Sequence, residues 1–502
     1  MTRKLLVLLI LPLLCNGQSY FKNLQKEVEA GAYLSTSGQN PFWLRSNQYG
    51  IVPLASQGVI IRARLGTEQS SLNPSNRFSK KDSLDRSLNW KGFTLNYAVE
   101  AVVNVGKTNQ FLFPEAYAAA KWKAFEIYAG RRREVIGLVD STLSSGSYIW
   151  SGNALPLPKI QVGIPNYTPI LGKGLLSIKG SYAHGWFDNG YVEKFYLHQK
   201  SLYGRIGKSH WKTKFYAGFN HQVQWGGKPA LPFTDPTTGD LITTYPSGWS
   251  AYYSVITGRS LNRDGNGGQL EGVPFNEAFN RAGNHLGTID IGADFTLNSG
   301  KLTIYRQSIY EDGSLFYLNN ITDGLFGLSF KSGKTGYGIN HIVFEYLKTS
   351  NQGGRVGSGS TVGQLRGGDN YFNNSLYQNA WTYQGNVIGT PFLTPLSAIN
   401  KDNSNRQHSD STIESYIVNN RVNAFSMSVA ATRRLYQSVS RIAVSRNLGT
   451  YSNPFDFTSV SVLQEMAFPW RTNYQATVSF SLDAGKLYGT QAGVLVRVKR
   501  NL

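Results

Sequence analysis

Seven histidines, His184, His198, His210, His221, His285, His341 and His408, are the side chains best suited to metal or acid–base chemistry, and their spacing supports neither. No HExxH pattern or paired spacing links them, and metal-binding motifs on one element need such pairs. The lone cysteine, Cys15, allows no internal disulfide and no thiolate zinc site. The stretch Arg263-Asp264-Gly265-Asn266-Gly267-Gly268 has turn composition but lacks the spaced carboxylates and terminal Glu of a calcium loop. Runs such as Gly353-Gly354 and Gly357 to Gly359 lack the Lys-Ser/Thr of a phosphate loop. No metal and no other cofactor is expected, and the chain does not read as an enzyme. A hydrolytic pair near His184 and Asp188, or at His221, is the weaker alternative.

Carbohydrate chemistry is better represented. A sugar ring offers an apolar C–H face to an aromatic and hydroxyls to Asn, Gln, Asp and Arg, so a sugar site is a cluster of those types. Candidates are Tyr148, Trp150 and Asn153, then Trp186 and Asp188, then Trp249 and Tyr252, and Trp381 with Tyr377 and Tyr383 beside it. Each of these tryptophans also suits a packing role or an anchor at a membrane interface. Arg131, Arg132 and Arg133 would favour an acidic sugar, or form a solvated run.

The elements that position these residues are strands. From Trp211 to Trp225 the odd positions are mostly apolar, and the even ones include Lys212, Lys214, Asn220, Gln222 and Gln224. The same period of two recurs at 93–104, with Glu100 on the polar face, and at 288–297, with Asp290 and Asp294, and it returns at 473–482 and 488–498. Only 16% of residues are charged, against about 25% in soluble domains, and 53 are glycine, so the polar faces are made of Asn, Gln, Ser, Thr and Gly. That inverts a soluble sandwich and fits a transmembrane antiparallel β-barrel, whose apolar face meets lipid. On this reading Glu100, Lys212, Lys214, Asn220, Gln222, Asp290 and Asp294 line the lumen, and Trp211 and Trp225 mark the two interfacial girdles. A soluble sandwich is the alternative; a β-helix lacks its short repeat.

The N-terminus carries Arg3 and Lys4, an apolar run from Leu5 to Leu14, and small residues before a cut ahead of Gln18, the pattern of a secretory signal peptide over 1–17. Acylation of Cys15 is the lesser reading because Leu14 stands where a small residue is expected. The net charge of +20 favours acidic partners without choosing among them.

About eighteen strands can be marked. The tight links Lys123-Ala124, Gly207 to His210, Asn298 to Gly300 and Ser332 to Thr335 each follow an even-numbered strand. The long links 133–158, 225–285 and 348–415 follow odd ones, as barrels with short periplasmic turns and longer outer loops require. The segment 18–57 holds the first strand and a plug or short helical element, and 58–502 forms the rest of the barrel. The link 69–92 is long for a periplasmic turn. The links 225–285 and 348–415 are expected to fold over or into the barrel mouth.

Several segments resemble the Wzi-type capsule-assembly family of outer-membrane proteins, in the form common in Bacteroidetes. They are Asn40-Pro-Phe-Trp-Leu-Arg-Ser-Asn-Gln-Tyr-Gly50, Gly130 through Asp140, Ser144 through Gly163, His184-Gly-Trp-Phe-Asp-Asn-Gly190, Tyr196 to Gly204 and Gly218 to Gly227. The resemblance implies an eighteen-stranded outer-membrane barrel with a small plug, acting as a lectin that holds capsular or exopolysaccharide at the cell surface. It implies as partners capsular or surface polysaccharide, outer-membrane lipid and other capsule-export components, with no nucleic acid. Residues 18–57 are too few for the fuller helical bundle of the enterobacterial type. The rival function is a diffusion or uptake porin for oligosaccharides, its selectivity set by the lumen charges.

Overall fold

The computed structural model describes residues 24–67, 92–262, 270–311, 313–334, 336–357, 367–400 and 416–502. The signal peptide with Cys15, nearly all of the link 69–92, the turn-like run 263–268 and His408 lie outside these residues.

Eighteen antiparallel strands form one closed sheet. They are β1 (Gln25–Gln39), β2 (Ala55–Gly66), β3 (Phe93–Gly106), β4 (Gln110–Trp122), β5 (Phe125–Arg131), β6 (Lys159–Leu171), β7 (Leu176–Trp186), β8 (Tyr196–Ile206) and β9 (Thr213–Trp225). There follow β10 (Asn284–Leu297), β11 (Gly300–Tyr310), β12 (Gly324–Ser332), β13 (Gly338–Lys348), β14 (Val422–Thr432), β15 (Gln437–Gly449), β16 (Pro454–Arg471), β17 (Tyr474–Gly485) and β18 (Gln491–Asn501). Each strand pairs with its sequence neighbours, and β1 pairs with β18 from Glu27 opposite Asn501 to Ser35 opposite Gly493, which closes the ring. Closure leaves no bare sheet edge, a condition for placing strands in lipid.

The alternation dictates the two faces. Outward side chains such as Val59, Ile61, Val99, Ile127, Phe215, Phe219, Ile289, Ile291, Phe425 and Phe480 are exposed, forming an apolar band around the wall. So large an exposed apolar surface marks contact with lipid. Phe93, Trp122, Phe125, Trp211 and Trp470 stand exposed at the short-turn end of the wall, as an interfacial girdle does. No described helix is long and apolar enough to cross a membrane; the strands cross it.

On the inner face, two tyrosines lie flat over glycines of the neighbouring strand. Tyr203 of β8 stands opposite Gly218 of β9, and Tyr305 of β11 opposite Gly327 of β12. A Cβ at Gly218 would fall 2.3 Å from the Tyr203 ring, and one at Gly327 would fall 2.1 Å from that of Tyr305, so only glycine leaves room for either ring.

Apart from 67–92 after β2, links after even strands are short, as in 123–124, 298–299 and 472–473, and the longest others, 132–158, 226–283 and 349–421, follow odd strands. The latter fold inward or across the mouth and build a hydrophobic core inside the barrel. Phe42, Trp43 and Leu44 of the one-turn helix α1 (Phe42–Arg45) join Tyr148, Ile149 and Trp150 and also Tyr371, Phe372, Trp381 and Phe392 in one cluster. Wall residues Tyr33, Leu197, Leu286, Leu325 and Leu495 complete it. Burial of each large apolar side chain here contributes about 1.5–3 kcal/mol. The plug is therefore built from several links, and the expected N-terminal element supplies only one part of it.

Candidate functional site

The inner wall grips the inward segment 132–158 by its backbone. Asp290 of β10 accepts the Leu138 N–H at 2.8 Å, Gln307 of β11 the Tyr148 N–H at 2.9 Å, and Glu345 of β13 the Ser145 N–H at 2.6 Å. Two strands further round the wall, Arg441 of β15 donates to the carbonyls of Leu143 at 2.9 Å and Ser144 at 3.1 Å. Asp140 within the segment contacts His341 Nε2 at 2.7 Å and accepts from Ser329 Oγ at 2.7 Å. A Gly- and Ser-rich segment has few side chains of its own to satisfy its amides, so wall side chains do so.

The polar residues expected to face a water-filled lumen are used in this way. Glu100 is fully buried between Arg62, 2.9 Å away, and Arg133 of the inward segment. Asp294 accepts Tyr216 Oη at 2.7 Å and pairs with Lys301 at 2.8 Å. Gln222 donates to the Ile149 carbonyl at 3.2 Å, and Asn220 is buried on the same face. Lys214 stands opposite Asp294 in the ladder. Lys212 lies outside the strand, exposed in the turn before β9, because β9 begins at Thr213; it lines no lumen.

The aromatic sugar candidates divide by burial. Tyr148, Trp150 and Trp381 are core residues with no open ring face, and Asn153 is buried, donating to the Val387 carbonyl at 2.9 Å. Trp186 is partly exposed on the outer wall beside His184, and Asp188 is exposed at the mouth, where it accepts from Gln384. Trp249 is 87% exposed on α2 (Trp249–Thr257). Tyr252 of the same helix turns toward the wall and stacks on Trp225, which is buried beneath it and faces no lipid. These residues do not converge on one site. Arg132 pairs with Glu126 and Glu134, Arg133 with Glu100, and Arg131 donates to Tyr383 Oη at 2.7 Å, so all three arginines are engaged within the protein.

A polar cleft of about 310 Å³ opens instead at the mouth, between the link ahead of β10 and residues 368–375 of the longest link. Asn276, Asn280, Arg281, Glu311, Asp369, Asn370, Asn373 and Asn374 line it. The short helix α3 (Phe275–Phe279) carries Asn276, whose Oδ1 accepts from Asn280 at 2.9 Å, while Asn280 Oδ1 is buried without a hydrogen-bond partner. Arg281 is fixed by Tyr310 Oη at 3.0 Å, and Asn374 Oδ1 accepts the backbone N–H groups of Leu376 and Tyr377 at 2.9 and 3.0 Å. Behind the cleft, burial pushes the Glu277 carboxyl up to about 7, although it accepts from Tyr377 Oη at 3.2 Å. Amides that both donate and accept, set beside one guanidinium and two carboxylates, match a polyhydroxylated ligand. The asparagine-rich runs 276–284 and 370–374 are the signal for this cleft in the sequence; their convergence is tertiary. Among the described residues no group of three or more His, Cys, Asp or Glu side chains is placed to hold a metal.

The chain matches no protein-family model and no curated protein sequence. Among solved structures, it is similar to Wzi of Escherichia coli, an outer-membrane protein involved in group 1 capsule assembly and a carbohydrate-binding β-barrel. That likeness has 12% identity and a TM-score of 0.56, over 99% of this chain and 88% of that one. It is also similar to OccAB2 of Acinetobacter baumannii, at 8% identity and a TM-score of 0.45 over 96% and 99% of the two chains. OprD of Pseudomonas aeruginosa gives 8% and 0.42 over 96% and 94%. At these identities the likeness is one of fold.

Proposed function

We propose that this chain is an outer-membrane barrel that binds capsular or other surface polysaccharide at its outer mouth and helps hold or assemble it there. It acts as a binder and catalyses nothing, reaches the membrane through a cleaved signal peptide, and works beside capsule-export components. The observation that carries this reading is the polar cleft of Asn276, Asn280, Arg281 and Asn374, set above a barrel interior that the chain's own links fill. A conduit needs a continuous wet lumen, whereas a binder needs convergent donors on the outer face.

The test is binding of polysaccharide extracted from the surface of the source cells to the folded, purified barrel, beside the double variant Asn276→Ala, Asn374→Ala. Saturable binding that weakens about tenfold or more in the variant, the loss of roughly one good polar contact, supports the reading. Absence of binding by the folded wild type, together with a steady current across a planar bilayer, overturns it in favour of the porin.

A further inference from the structure

On the outer wall, the strand positions nearest the mouth differ from the apolar band below them. Outward positions of β7 to β10 there carry His184, His198, His221 and His285. Further along the same strands, Leu202, Ile206, Phe215, Phe219 and Ile289 are each 40–55% exposed on the lipid-facing band. His198, His221 and His285 are buried although they point out of the barrel, because α2 folds back over them. Val255 packs on Val223 and Trp225, Tyr252 Oη meets Tyr182 Oη at 2.8 Å, and Lys200 donates its ammonium to the Ile256 carbonyl. The opposite face of the nine-residue helix presents Trp249, 87% exposed, and Tyr253, 51% exposed, one turn apart. Arg259 is exposed just beyond the Gly258 cap.

We propose that α2 is a lipid anchor. Its Trp249 and Tyr253 face enters the headgroup–acyl boundary of the outer leaflet, while its inner face shields the polar, histidine-bearing end of the wall. Two observations fix the occupant. The helix is continuous with the lipid-contacting band, lying directly beyond Leu202 and Phe219, and its outer face carries amphipathic aromatics with the exposed cation of Arg259 just past its end, the composition that partitions into an anionic bilayer interface. The anchor would hold the mouth, and the cleft beside Arg281, level with the membrane surface. It goes beyond polysaccharide binding and stands or falls separately from it.

Trp249→Cys is made in a Cys15→Ser background, spin-labelled, and reconstituted in vesicles of phosphatidylethanolamine and phosphatidylglycerol. Labels at Leu202→Cys and Thr244→Cys serve as lipid and water references, and resistance of each barrel to unfolding in cold detergent checks its fold. Collision with dissolved oxygen exceeding that with a water-soluble nickel chelate at 249, as at 202, supports the anchor. Chelate access equal to that at 244 overturns it, and so does a label protected from the chelate only when surface polysaccharide is added, which would make Trp249 a sugar platform. Protection from both reagents also overturns it, placing the face against a second copy of the chain.

Discussion

Arg441 donates to the carbonyl oxygen of Leu143 at 2.9 Å, joining a wall strand to the tip of a segment 298 residues earlier in the chain. The same guanidinium lies 5.3 Å from the centre of the Trp43 ring, so one side chain ties α1 and the inward segment to the wall.

Arg441→Ala should loosen the plug. Carbonyls of Leu143 and Ser144 lose a charged donor, a cost of about 2–3 kcal/mol. Planar-bilayer recording should show little current for the wild type and frequent openings for the variant; equal silence in both, with both barrels folded, would mean that Arg441 does not hold the segment.

Gly327→Ala should be more damaging than its single added methyl suggests. The new carbon would collide with the Tyr305 ring, whose hydroxyl donates to Glu345 at 2.7 Å, and Glu345 in turn holds Ser145. Overpacking of this kind costs about 1–3 kcal/mol, readable as a lower thermal unfolding midpoint in detergent. The double variant Gly327→Ala, Tyr305→Phe should not recover the loss, since the ring remains.

Acidity should tighten the mouth. Glu277 titrates near 4.5 in an unfolded chain and at about 7 in its buried site, so the folded form holds its proton more firmly. Its contribution is complete below about 4.5 and is lost as pH rises through about 7, a change on the order of 3 kcal/mol. Once corrected for the base-catalysed rise of intrinsic amide exchange with pH, the protection of residues 275–283 should therefore fall between those limits in the wild type and stay level in Glu277→Gln.

Trp381→Ala and Trp249→Ala should separate cleanly. Trp381 is fully buried, and its truncation should cost about 3–5 kcal/mol. Trp249 projects from the helix, and in detergent its removal should change stability by no more than about 0.5 kcal/mol.

The contrast between those two tryptophans shows what a sequence can and cannot carry. The strands are legible because a period of two is a local property, and about eighteen can be marked from it together with the alternation of short and long links, which only 69–92 breaks. Residues 132–158 lack any period, so nothing local announces that their amides meet Asp290, Gln307 and Glu345. An outward apolar face reads the same whether lipid or protein covers it, which is why Trp225 looked like a girdle residue and lies under Tyr252. Loop aromatics read the same whether they cap a core, like Trp150 and Trp381, or stand free, like Trp249. The asparagines of the cleft come from two links about ninety residues apart and meet only once both have folded over the mouth.

The seam between β1 and β18 gives the barrel its order of assembly. Its partners, Glu27 and Asn501, stand near the two ends of the chain, so this ladder cannot form until the last strand exists. Closing a loop of that length from a disordered chain would cost more entropy than any other pairing, but the cost grows only with the logarithm of the span. Each hairpin zipped beforehand brings the two edges nearer, until the last ladder has only a gap in a curved sheet to close. The segment 132–158, whose wall contacts reach from Glu100 of β3 round to Arg441 of β15, is most easily laid against the wall while that gap is open. The seam is then the last ladder to close.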